Sequence, residues 1–131
     1  MPNVNIPMKL PLKLNIERES IEDLLCGALE GGSNYWYMIV DRKEPNPKPE
    51  FLHEYPMRGG SLTFVDLEDS DDLDNPEIKK FVLDKATMIK GMQQMAAKYP
   101  GHFADFQQEN TDANTFDCFL QCCLFGEEIY G

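Results

Sequence analysis

The chain has no apolar run approaching the roughly 18–20 residues that span a bilayer. Its 42% apolar content suits one core and not a membrane protein. The first fourteen residues carry Lys9 and Lys13, but Pro2, Pro7 and Pro11 interrupt them. The unbroken apolar stretch of a signal peptide is therefore missing, and the expectation is a cytoplasmic protein. Basic residues are scarce: 12 Lys and Arg stand against 23 Asp and Glu, a formal charge of −11. Residues 1–60 hold seven bases and nine acids, a net of −2, whereas residues 61–131 hold five bases and fourteen acids, a net of −9. Such a field repels nucleic acid and anionic membrane and attracts basic partners, although acidity also serves plain solubility.

Catalytic signatures are missing as well. There is no Gly-x-Ser-x-Gly and no phosphate-cradling loop of the Walker type. The two histidines have no evident serine or cysteine partner, and many carboxylates on an acidic surface do not make a paired general acid and base. The expectation is a binding protein, not an enzyme, with no cofactor. Four cysteines are present, and Cys118, Cys122 and Cys123 crowd into six residues, a poor disulfide framework. Cys118 and Cys122, at i and i+4, could present two zinc ligands, with His53, His102 and Cys26 to complete a site. The paired short spacings of zinc sites are absent, so buried reduced thiols in a Phe-rich helix are the reading and no metal is expected.

What is present fits one domain of 131 residues. Met8 to Ile16 alternates with period two and reads as a strand, with Pro11 marking a sheet edge. Ser20 and Asp23 suggest a capping box for a short helix that Gly31-Gly32 stops. Tyr35 to Val40 reads as a strand, Lys43 to Glu50 as a proline-rich extended loop, and Phe51 to Met57 is ambiguous. Further strands are expected over Ser61–Leu67 and Lys80–Leu83. Asp84 is the expected cap of a helix over Lys85–Lys98, whose apolar face is Met88, Met92, Met95 and Tyr99. A helical turn follows over His102–Gln108. Asp112 opens a last helix with the face Phe116, Phe119, Leu120, Cys123 and Leu124, and Gly126 ends it. The fold class is α+β: a small antiparallel sheet of three to four strands covered by two or three helices.

Two segments stand out as candidate sites. Between Asp66 and Glu77 lie seven carboxylates and no base. The oxygens at Asp66, Glu68, Ser70, Asp72, Asp74 and Glu77 follow EF-hand spacing. Asp71 stands where that loop needs glycine, Pro76 stands where its exiting helix should begin, and a strand precedes it. A partner-facing or solvated loop is the reading, with Asp66, Glu68, Asp69, Asp71, Asp72 and Asp74 as partner-binding residues. The second segment is Gly31-Gly32-Ser33-Asn34-Tyr35-Trp36-Tyr37. Trp36 reads as a core anchor. Tyr35 and Tyr37, sharing the opposite face of their strand, could stack on a nucleotide-like ligand, with Ser33 and Asn34 supplying hydrogen bonds.

The stretch Ala28–Tyr37, together with the run Asp112-Ala113-Asn114-Thr115-Phe116-Asp117, Gln121 and Phe125–Gly131, resembles a loosely related set of small proteins from tailed bacteriophages and prophages. That set has no agreed biochemical activity. The resemblance implies a phage gene product acting in a bacterial cytosol, and it carries over no catalytic residue. The leading expectation is a phage-type inhibitor of a host defence factor, whose acidic surface imitates nucleic acid and engages a basic host protein. A small-molecule binder, holding a nucleotide-like signal at the interface of a homo-oligomer, is the competing class. A virion assembly component is the third.

Overall fold

Two aspartates set the starts of the helices that frame the core. In the structure, a computed structural model that describes residues 14–33 and 35–131, Asp84 accepts from the Thr87 N–H at 2.9 Å and Asp112 from the Thr115 N–H at 3.0 Å. Each bond satisfies a donor that the first turn of a helix leaves without an intrahelical partner. In chain order the elements are α1 (Arg18–Gly27), β1 (Tyr37–Lys43), β2 (Ser61–Asp66), β3 (Lys80–Leu83), α2 (Lys85–Lys98), α3 (Pro100–Gln107) and α4 (Ala113–Phe125). The strands form one antiparallel sheet in the order β1-β2-β3. This is the α+β fold expected, with three strands.

Alternation divides the sheet into two faces. Ile39, Phe64 and Phe81 lie opposite one another across the strands, as do Leu62 and Leu83. Together with Tyr37 they belong to the core. The other face carries Met38, Val40, Thr63, Val65, Lys80 and Val82, of which Met38 and Val82 are 43% and 52% exposed. Met88, Met92 and Met95 of α2 are buried as their spacing predicts. Against them lies α4, buried on nearly every side from Thr115 to Cys123. Gly91 allows the two helices to meet: a Cβ there would lie 2.2 Å from Cys123 Sγ and 2.7 Å from its Cα. Gly126 ends α4 in the left-handed conformation, with φ 79°.

The structure differs from the sequence reading near the start of the chain. The helix begins at Arg18, with Glu17 in the cap position and no side-chain cap. Ser20 and Asp23 therefore lie inside α1 and form no capping box. Beyond Gly27 the chain continues as a wider π turn through Ala28–Gly32. The first strand starts at Tyr37 and runs to Lys43, because Tyr35 and Trp36 are held in a turn. The strand expected from Met8 lies, as far as Lys13, outside the described residues; Leu14 to Glu17 carry no strand pairing. Phe51 to Met57 resolves into two 3-10 turns, Leu52–Glu54 and Pro56–Arg58. They dock on α1 through Arg58, which pairs with the buried Glu22 at 3.0 Å and with Glu54 at 2.7 Å.

Candidate functional site

The acids between β2 and β3 form a shaped connection. Its turns are closed by its own side chains: Asp66 Oδ1 accepts from the Glu68 N–H at 3.0 Å, Asp72 Oδ1 from Asp74 at 3.2 Å and Asn75 Oδ1 from Glu77 at 3.0 Å. Ser70 Oγ accepts from Asp72 at 3.3 Å. Such turns hold a loop without help from the core. Glu68, Asp69, Asp71, Asp72, Asp74 and Glu77 are all exposed. Among the described residues none of these six makes an ion pair.

Asp66 is a correction to the proposed binding set. It is only 6% exposed, and its Oδ2 accepts from the Tyr130 hydroxyl. It belongs to the inner face of β2 and anchors the C-terminal segment, so it offers nothing to a partner. That geometry also removes the first position of the EF-hand spacing from the loop.

The aromatic segment is tied down by α4. Asp117, 7% exposed, accepts from Trp36 Nε1 at 2.8 Å, from the Tyr35 hydroxyl at 3.0 Å and from Gln121 Nε2 at 2.8 Å. Gln121, fully buried, also accepts from the Ile129 and Tyr130 N–H groups at 2.8 and 2.9 Å and donates to the Tyr130 carbonyl at 3.0 Å. Tyr35 and Trp36 are thus joined through Asp117 and Gln121 to Ile129 and Tyr130 in one hydrogen-bonded unit. Trp36 is a core residue, packed on Phe125 and Tyr130. Tyr37 is half-buried, with its ring against Trp36 and Phe64, and does not share an open face with Tyr35. Tyr35 keeps 53% of its surface exposed. Burial and the Asp117 carboxylate push its hydroxyl up to about 12. Ser33 is buried, and its Oγ has no hydrogen-bond partner among the described residues. Asn34 lies outside the described residues.

Sequence reasoning missed Asp117, Gln121 and Tyr130 as a unit. The signal was there: an acid and an amide at i and i+4 inside an apolar helix must find partners when buried. A groove of about 920 Å³ opens elsewhere, between α1 and α2, lined by Ile21, Met57, Ile89, Met92 and Phe103. It touches neither candidate segment.

All four cysteines carry free thiols, and Cys118, Cys122 and Cys123 are buried. Burial pushes the Cys123 thiol well up, and the Cys118 thiol is raised by its hydrogen bond with Cys122 and by burial. His102, half-buried on α3, stands beside Cys118, whereas His53 and Cys26 do not join them. Comparison of the chain with protein-family models, with curated proteins and with solved structures gives no match.

Proposed function

We propose that this protein is a non-enzymatic binding protein of phage type that inhibits a host defence factor by presenting an acidic surface to a basic partner. The observation that carries the reading is the β2–β3 connection: six exposed carboxylates, Glu68, Asp69, Asp71, Asp72, Asp74 and Glu77, without an ion-pair partner among the described residues and held in turns made by their neighbours. Carboxylates arrayed at short intervals imitate the charge of a phosphate backbone. Holding the loop in shape beforehand lowers the ordering cost of binding. The outer face of the sheet also exposes Met38, Val40 and Val82, apolar surface of the kind that a protein partner can cover.

A nucleotide-like ligand is the second reading. The exposed ring of Tyr35 and the unpartnered Oγ of Ser33 favour it. Tyr37 is withdrawn from it by packing. The test is phage survival on a defended bacterial host that expresses the protein, compared between two variant sets. Changing Asp69, Asp71, Asp72 and Asp74 together to Asn is expected to remove protection while leaving the fold intact. Protection lost in Tyr35→Ala alone, with folding confirmed, would reject the acidic-surface reading.

A further inference from the structure

His102, Cys118 and Glu128 come from three separate parts of the chain: α3, the buried face of α4 and the segment after Gly126. One ligand atom of each, a ring nitrogen, Sγ and a carboxylate oxygen, lies within 4.8 Å of the other two. In a tetrahedral zinc site, metal–ligand bonds of about 2.0–2.3 Å place the ligand atoms roughly 3.3–3.8 Å apart. Side-chain adjustments of about 1 Å would close the gap.

The surroundings of each group support a cation. Thr115 donates its single hydroxyl proton to Asp112 Oδ1 at 3.2 Å. His102 Nδ1 lies 3.4 Å from Thr115 Oγ1, a contact in which the ring nitrogen's role depends on its tautomer. The tautomer with Nδ1–H directed at Thr115 leaves the Nε2 lone pair for a metal, the usual arrangement of a ligating histidine whose other nitrogen is held by a neighbour. The backbone of Glu128 is fixed by its N–H donating to the Tyr99 hydroxyl at 2.7 Å. Its half-buried carboxylate has neither an ion pair nor a side-chain hydrogen bond among the described residues. His102 and Glu128 are both partly exposed, so an ion can enter from solvent.

We propose that His102, Cys118 and Glu128 bind a thiophilic divalent cation of the zinc class, which clips the C-terminal segment to α3 and α4. Binding replaces the S–H bond of Cys118 by a bond from its thiolate to the metal and releases one proton to solvent. The ion's charge offsets that of the thiolate and the carboxylate. This site is independent of the acidic connection and of any partner there.

The test is a cobalt(II) titration of the reduced full chain, followed through thiolate-to-cobalt absorption, with zinc added to displace the cobalt. The expected result is saturation at one equivalent, with binding about tenfold weaker or worse in His102→Ala and in Glu128→Gln and unchanged in Cys26→Ser. Both weakened variants change partly exposed residues, so they remain informative even where Cys118→Ser fails to fold. Absence of a thiolate–cobalt band in the unaltered protein would overturn the proposal. So would identical titrations in the His102 and Glu128 variants, or loss of the band in Cys26→Ser.

Discussion

Gln121 shows how much one buried side chain can join. It links the Asp117 carboxylate on α4 to the backbone of Ile129 and Tyr130, and Asp117 in turn holds Tyr35 and Trp36. Removing the amide leaves two N–H groups without their acceptor and Asp117 without one donor. A buried polar group left unsatisfied costs about 1–3 kcal/mol. Gln121→Ala is therefore expected to lose about 3 kcal/mol or more in urea unfolding, and a loss under about 1 kcal/mol would show that the network bears little of the stability. The Tyr35 hydroxyl adds a pH signature. Its folded value is about 12 against an ordinary 10.0, so the folded state holds the proton more tightly. That contribution is complete below pH 10 and is lost as pH rises towards 12. Stability measured over that window should fall less steeply in Tyr35→Phe than in the parent. None of this was legible one residue at a time. Trp36 was recognisable as a core anchor from its size, but Asp66 looked like the first residue of an acidic loop because its partner, Tyr130, is 64 positions away.

Among the elements, those with chemical punctuation were readable and those without it were not. Asp84 and Asp112 cap α2 and α4 as their positions suggested, and Gly126 closes α4. Both caps hold their carboxyls below the ordinary range, chiefly by accepting the Thr87 and Thr115 N–H bonds. Their contribution is present above the unfolded carboxyl's value and lost as pH falls through the lower folded one. Asp84→Ala is expected to cost about 1 kcal/mol at neutral pH and to flatten the acid limb of the stability curve. α1 lacks such a cap, which is why Ser20 and Asp23 misled. The alternating run of β1 was visible, but its start was not, since the bond from Tyr35 to Asp117 crosses 82 residues. Gly91 is the position where helix propensity and packing disagree. Alanine would gain about 1 kcal/mol in an exposed helix. Here its Cβ would lie 2.9 Å or closer to three atoms of Cys123, two of them backbone, and overpacking costs typically 1–3 kcal/mol. The backbone contacts cannot be relieved by a rotamer change, so a net loss of about 1 kcal/mol is expected in thermal or urea unfolding. A Gly91→Ala protein more stable than the parent would show that α2 and α4 do not approach so closely.

At the scale of the whole molecule, the charge is uneven, and six exposed acids of the β2–β3 connection make no ion pair among the described residues. Changing Asp69, Asp71, Asp72 and Asp74 to Asn, which keeps the Asp72 Oδ1 acceptor of the turn, should leave stability within about 0.5 kcal/mol of the parent, as for other surface changes. The same change should abolish the attraction on which the proposed function rests. The most direct measurement is the affinity of the parent and of this neutralised variant for the host protein that the parent retains, determined across a salt series. Long-range attraction fades as the Debye length shrinks from about 10 Å at 0.1 M to about 3 Å at 1 M. The expected result is binding by the parent that weakens steadily with salt, displacement of the parent by duplex DNA, and binding by the variant that is weak at every salt concentration. Equal affinities of parent and variant, insensitive to salt, would contradict the acidic-surface account.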